Sequence, residues 1–363
     1  MVRRGIEDWR TAAPAESDSL GRHRGTPSRV RNLAGGFGAR PAASRGHDDA
    51  RPLRRARRKT RRKRARRATA LVATITAVMI TLIIGLYVRS LDDGSPTSRS
   101  YLGIYTAGLP ESYAGVSAFT AATGVRPGLV MYYSGWLERF QTAFAGEAAK
   151  HGAAPLVQIE PTGVSVAAIA SGRYDAYLRS YALAVKAFGS QVILSFGHEM
   201  NGSWYSWGYQ HTSPADFVAA WRHVVTVFRA VGAQNVTWLW TVNIVRCRCH
   251  IESPASWWPG SSYVNWVGID GYYYQPSWKF AALFGSTIKA VRALTLDPIL
   301  ITETAAPAAS QPAKIADLFA GIRAYGLLGF VWFDHDKSEQ WRISSPRAFA
   351  AFRRGAESYR RPG

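Results

Sequence analysis

Gln191-Val192-Ile193-Leu194-Ser195-Phe196-Gly197-His198-Glu199-Met200-Asn201-Gly202-Ser203-Trp204 runs an apolar stretch straight into a histidine, a carboxylate and a tryptophan. A run that is continuously apolar, rather than alternating, marks a strand buried on both faces, as in parallel sheets covered by helices. About a hundred residues later Ile299-Leu300-Ile301-Thr302-Glu303-Thr304 places a second carboxylate at the end of another such strand. Two carboxylates delivered by two strand ends, with aromatic rings around them, are what cleavage of a glycosidic bond requires.

Working outward, six more short apolar runs occur: Tyr101 to Tyr105, Gly128 to Tyr133, Pro155 to Ile159, Val236 to Thr241, Trp266 to Asp270 and Leu327 to Phe333. With Gln191 to Phe196 and Pro298 to Thr302 they make eight. Between them lie helical stretches at Tyr113 to Thr123, Leu137 to His151, Tyr174 to Phe188, Pro214 to Val231, Phe280 to Leu294 and Pro312 to Tyr325. The fifth and eighth strands have the weakest helical partners. Eight strands, each followed by a helix, over a body close to the usual length of about 250 residues predict an α/β fold, a (β/α)8 TIM barrel. On that count Glu199 follows the fourth strand and Glu303 ends the seventh, both at the C-terminal rim where barrel active sites form.

The net charge of +21 describes a tail, not this body. Residues 1–67 hold 21 Lys and Arg against 6 Asp and Glu, with few aromatic or β-branched side chains, so they are expected to stay disordered. Ala68 to Val88 carry no charge and are long enough, at about 1.5 Å per residue, to cross a bilayer core of roughly 30 Å. The preceding region is too long and too charged for a secretory leader and no small-x-small cleavage site follows the apolar run, so a transmembrane helix is expected, and the basic cluster Arg54 to Arg67 before it predicts a cytoplasmic N-terminus. The same cluster suits nucleic acid electrostatically, but contact with anionic lipid accounts for it, and no nucleic acid is expected. Residues 89–100 read as a polar linker. The organisation expected is therefore tail 1–67, span 68–88, linker 89–100 and an extracytoplasmic catalytic body over 101–359.

His198-Glu199-Met200-Asn201-Gly202-Ser203-Trp204 followed by Tyr205-Ser206-Trp207-Gly208, Val267 to Tyr272 (VGIDGY) and Ile301 to Thr304 (ITET) together resemble glycoside hydrolase family 26, whose best known members are β-mannanases. The resemblance covers Tyr101 to about Arg354. It implies a barrel retaining glycosidase without cofactor or metal, in which Glu199 is the general acid/base and Glu303 the nucleophile. It further implies that His198 and Trp204 contact the substrate, that Asp270 and Tyr272 form the strand-six motif with the tyrosine hydroxyl on the nucleophile, and that Trp332 lies under the reacting sugar. Ala305 and Ala306 stand where many members have glycine after the glutamate. The implied partner is a β-linked polysaccharide, β-1,4-mannan or glucomannan first, with β-glucan and β-1,3-xylan as the substrates of relatives. A catalytically silent polysaccharide binder and a docking role for the basic tail are the competing functions.

Among the tryptophans, Trp204, Trp207, Trp240 and Trp332 fall at strand ends, where stacking on sugar faces is natural, whereas Trp221 and Trp238 suit packing. Trp257, Trp258 and Trp278 sit in long loops and could extend the cleft or cover its rim. Cys247 and Cys249 are the only cysteines and offer too few ligands for a metal; outside the membrane they could staple their loop or stay free.

Overall fold

A computed structural model describes residues 101–245, 251–337 and 339–359. Eight parallel strands close into one barrel in chain order: β1 Tyr101–Thr106, β2 Leu129–Gly135, β3 Ala154–Glu160, β4 Val192–Phe196, β5 Val236–Asn243, β6 Trp266–Asp270, β7 Ile299–Thr304 and β8 Gly329–Asp334. Every apolar run read in the sequence is one of these strands. Around them pack α1 Ala114–Thr123, α2 Thr142–Lys150, α3 Val166–Ala170, α4 Asp175–Phe188, α5 Pro214–Val231, α6 Phe280–Arg292, α7 Gln311–Ala324 and α8 Pro346–Tyr359.

The helix α5 shows how local signals and tertiary packing agree. Ser213 caps it, accepting from the Asp216 amide at 3.1 Å while its hydroxyl donates to the Asp216 carboxylate at 2.7 Å. Pro214 fixes the first turn, and Gly232, left-handed at φ 78°, ends the helix. Phe217, Ala220, Trp221, Val224, Val225 and Phe228 recur at helical spacing and are all buried against the barrel.

The unit after β5 departs from the pattern. Among the described residues it contains two 3₁₀ turns, Pro254–Trp257 and Ser261–Tyr263, in place of an α-helix. Pro254, Pro259 and Gly260 break the periodicity, and Trp257 instead fills the gap, edge-on to Phe217 at 5.6 Å and donating its indole N–H to Glu252 at 2.8 Å. The eighth unit is closed by α8, which the sequence signals only weakly. The five-residue α3 is too short for its period to register.

Inside the barrel the side chains stack in layers. Gln158, Ser195, Thr241 and Thr302 are completely buried, and Ser195 donates to Thr241 at 3.1 Å. Gly268 belongs here because a Cβ would stand 2.2 Å from the Thr302 hydroxyl and 2.5 Å from that of Thr241. The layer above, at the C-terminal mouth, holds the site.

Among the described residues no helix is long and apolar enough to cross a membrane. The expected tail, span and linker (residues 1–100) and both cysteines, Cys247 and Cys249, lie outside the described residues.

Candidate active site

Glu303 reaches the mouth through an irregularity in β7. The ladder to β6 slips between Ile269 and Asp270, so that Asp270 pairs with Glu303, and the ladder to β8 slips between Ile301 and Thr304. Such a bulge re-aims a side chain, and here consecutive residues Thr302 and Glu303 both face inward. The Glu303 carboxylate accepts two phenolic hydrogen bonds, Tyr133 on Oε1 and Tyr272 on Oε2, each at 2.5 Å. Tyr133 comes from β2, across the barrel, and no sequence motif marks it.

Glu199 lies three residues beyond β4 in a left-handed backbone conformation, φ 54°. For a glutamate this costs on the order of 1 kcal/mol or more, and the surroundings must hold it there. Its amide donates to the Thr241 carbonyl at 2.9 Å, prolonging the β4–β5 ladder. Asn201 then clamps the end of β5 from both sides, accepting from the Asn243 amide at 2.8 Å and donating to the Asn243 carbonyl at 3.0 Å. That clamp aims the Asn243 side chain, which donates to Glu199 Oε1 at 2.5 Å. Trp204 donates its indole N–H to Glu199 Oε2 at 2.6 Å, lying over Gly202, where a Cβ would be 2.2 Å from the ring. Trp204 therefore grips the carboxyl itself.

The two carboxyls differ electrostatically. Burial, then the charge of Glu303, raises the Glu199 pKa to about 8 despite its two donors. Burial also raises Glu303, but Lys337 and the two tyrosine hydroxyls pull it back. Both phenols are themselves pushed well above their usual pKa by burial and by Glu303, so they remain protonated and donate. Between the coupled pair the charge belongs on Glu303 and the proton on Glu199.

Asp270 is fully buried beneath the pair, beside the Thr302 hydroxyl and the Glu303 amide. Burial, Glu303 and Glu199 push its pKa well above the ordinary carboxyl range, and it presents no face to the cleft. His198 is also buried, its Nε2 3.2 Å from the Tyr205 hydroxyl and its ring 5.6 Å from that of Tyr133. Burial, with Lys337, lowers its pKa to about 3. The imidazole is neutral and supports the Tyr133–Glu303 contact from behind.

Trp332 is placed differently from expectation. A Cβ on Gly103 would meet Val331 at 2.8 Å, so Val331 points to the barrel axis, and alternation turns Phe333 inward and Trp332 outward. Trp332 is wholly buried and donates to the Trp341 carbonyl at 3.3 Å. The ring at the mouth is Phe333, stacked on Tyr105 at 4.6 Å, while Trp341 stacks on Tyr272 at 4.4 Å and holds that phenol in place. Trp207 and Trp240 are likewise buried, Trp207 donating to the His198 carbonyl at 2.9 Å and Trp240 packing edge-on to Trp258 at 5.0 Å. These three tryptophans pack rather than stack on a ligand. Trp221 and Trp238 are core residues, as expected.

Comparison with known proteins bears on this geometry. Residues 178–341, which contain both glutamates, match the sequence profile of glycosyl hydrolase family 26. Over these residues the chain is similar to glycosyl hydrolase family 26. It is 30% identical over 295 residues to endoglucanase H of Acetivibrio thermocellus, a match covering 76% of this chain and 32% of that protein. It is 28% identical over 173 residues to the beta-1,3-xylanase TXYA of a Vibrio species, covering 44% of this chain and 36% of that one. The chain thus spans about a third of the length of these curated relatives. Among solved structures, a Bacillus subtilis mannanase superposes with a TM-score of 0.54 at 19% identity, covering 69% of this chain and 84% of its own. At that identity the likeness speaks for the barrel alone. The described residues contain no cluster of three or more His, Cys, Asp or Glu able to hold a metal ion.

The phenol pair carries a prediction. A hydrogen bond to a charged group contributes about 1.5–3 kcal/mol, so Tyr133→Phe and Tyr272→Phe should each lower glycosidase kcat/KM by roughly 10- to 100-fold. The donors favour the ionised form of Glu303, so losing either raises its pKa and the acid limb of the kcat/KM profile should move to higher pH. Unchanged acid limbs in both variants would remove the phenols from the mechanism.

Proposed function

We propose that this protein is a retaining endo-β-glycosidase that hydrolyses a β-linked polysaccharide, with β-1,4-mannan or glucomannan as the first candidate. The observation that carries the reading is the pair of buried carboxyls in one barrel mouth, held by opposite surroundings: Glu303 charged under two phenols, Glu199 protonated at neutrality. Similarity to the family supports it, and the named activities of the relatives widen the substrate field to β-glucan and β-1,3-xylan.

In the first step a Glu303 oxygen attacks the anomeric carbon while the bond to the leaving oxygen breaks, and Glu199 gives its proton to that oxygen. Once Glu303 is an ester its charge is gone, and with it much of what held the proton on Glu199. Glu199 is then a carboxylate, takes a proton from water, and the resulting hydroxide equivalent attacks the anomeric carbon and frees Glu303. Two inversions leave the configuration retained. Tyr272 and Tyr133 hold Glu303 ionised before attack, and Asn243 and Trp204 fix Glu199 on the leaving-group side.

The apolar stretch 68–88 and the basic run before it support an anchored enzyme, with the barrel outside the cell and the tail against anionic lipid on the cytoplasmic side. Purified protein assayed for new reducing ends on mannan, glucomannan, mixed-linkage β-glucan and β-1,3-xylan tests the function. Release from at least one is expected. Retardation in glycan gels without release from any would leave a binding protein instead.

A further inference from the structure

Glu160 takes no part in the chemistry above and belongs to none of the motifs, yet it stands in the same mouth. It is the last residue of β3, paired in register with Gly135. Gln158, two positions earlier on the same face, is buried inside the barrel, so Glu160 points inward one layer higher, at the mouth. Among the described residues its carboxyl has no hydrogen-bond partner. Burial, then the charge of Glu303, raises its pKa to about 7, and Lys337 opposes the rise. A carboxyl largely shielded from water without a partner is costly, and proteins keep such groups where a ligand completes them.

Lys337 comes from the opposite side of the mouth, on the exposed loop after β8. Its ammonium rests over the Phe333 ring, 4.6 Å from the centroid. Phe333 is in turn braced by Tyr105, which lies edge-on to Tyr133 at 5.3 Å. The cation acts on Glu160, Glu199 and Glu303 alike. A carboxyl able to donate or accept near neutrality and a three-donor ammonium thus both stand at the barrel mouth. Sugar hydroxyls, each a donor and an acceptor, are the groups that satisfy both.

We propose that Glu160, with Lys337 across the mouth from it, is a specificity-determining residue that hydrogen-bonds a hydroxyl of a sugar ring held in the barrel mouth. The proposal rests on the hydrolase reading above. A site that is built to hydrogen-bond one hydroxyl arrangement discriminates strongly against another, because a mismatched sugar leaves its polar groups unpaired.

Binding to the catalytically disabled full chain tests this apart from turnover. In a Glu303→Ala background, calorimetric titration with β-1,4-mannotetraose and with cellotetraose should show a preference for one. Adding Glu160→Ala should weaken the preferred ligand by about 10- to 100-fold and bring the two affinities to within about threefold, whereas Glu160→Gln, which still donates and accepts, should keep the order of preference. Lys337→Met, at an exposed position that does not threaten folding, should weaken the preferred ligand by about 3- to 10-fold. Preference and affinity unchanged in Glu160→Ala and Lys337→Met would overturn the proposal. Hydrolysis of the same tetrasaccharides by the unsubstituted chain is scored alongside: if it persists while these variants keep the original preference, the inference fails and the hydrolase reading stands. If the unsubstituted chain cleaves neither tetrasaccharide and the disabled chain binds neither, the inference fails, and the hydrolase reading falls with it only if the four-glycan panel also shows no release.

Discussion

Glu303→Ala should lose about four to six orders of magnitude in kcat on the preferred glycan, the scale seen when a covalent nucleophile is removed. The variant should remain folded, because alanine in place of Glu303 removes a buried carboxyl whose pKa is raised by burial, and leaves Tyr133 and Tyr272 to share the vacated space. Activity should return in part with azide and an activated aryl glycoside, and the product should be the glycosyl azide of inverted configuration, because the anion attacks from the face that Glu303 occupied. A loss smaller than about tenfold, with no azide product, would mean that Glu303 is a structural carboxylate.

Glu199→Gln should cost about 10²- to 10⁴-fold in kcat/KM on the glycan, the range of general acid–base catalysis. The loss should be far smaller on an aryl glycoside whose phenol leaves without a proton, because the first step then needs no acid. Its pH dependence follows from the raised pKa of about 8. The unsubstituted protein should lose kcat/KM as the pH rises through about 8, when Glu199 gives up the proton it must donate, and Glu199→Gln should lack that alkaline limb. Stability moves in the same window. Because the folded pKa lies above the unfolded one, the folded state holds more protons between about 4.5 and 8, so Glu199 makes folding less favourable as the pH climbs through that range. Glutamine has no such dependence, and the melting temperature of Glu199→Gln relative to the unsubstituted protein should increase from pH 5 to pH 8.

The barrel was legible in the sequence because parallel strands buried on both faces are continuously apolar, and that pattern survives without any knowledge of what packs on it. Glu199 and Glu303 were legible for a related reason: each ends such a run. Tyr133 and Asn243 were not, although each donates to one of the two carboxyls at 2.5 Å. Both sit within or at the end of ordinary strands; closure of the sheet sets β2 across from β7, and the pairing of β4 with β5 brings Asn243 to the loop after β4. Trp332 illustrates the opposite error. Strand ends attract attention as ligand platforms, but strict alternation in β8 gives the inward position to Phe333 and sends Trp332 into the helical layer. In β7 a bulge breaks that same alternation, and no pattern of residue types along Ile299–Thr304 announces it. The sequence run for the third strand stops at Ile159, one residue short of Glu160, because a charged residue at a strand end reads as the start of a loop.

The double-displacement mechanism turns on where a sugar becomes attached. An activated 2-deoxy-2-fluoro glycoside of the glycan selected by the hydrolysis panel, incubated with the protein and followed by proteolysis and mass spectrometry, should leave one glycosyl group on the peptide carrying Glu303. No label, or a label on Glu160, Glu199 or any other residue, would contradict it.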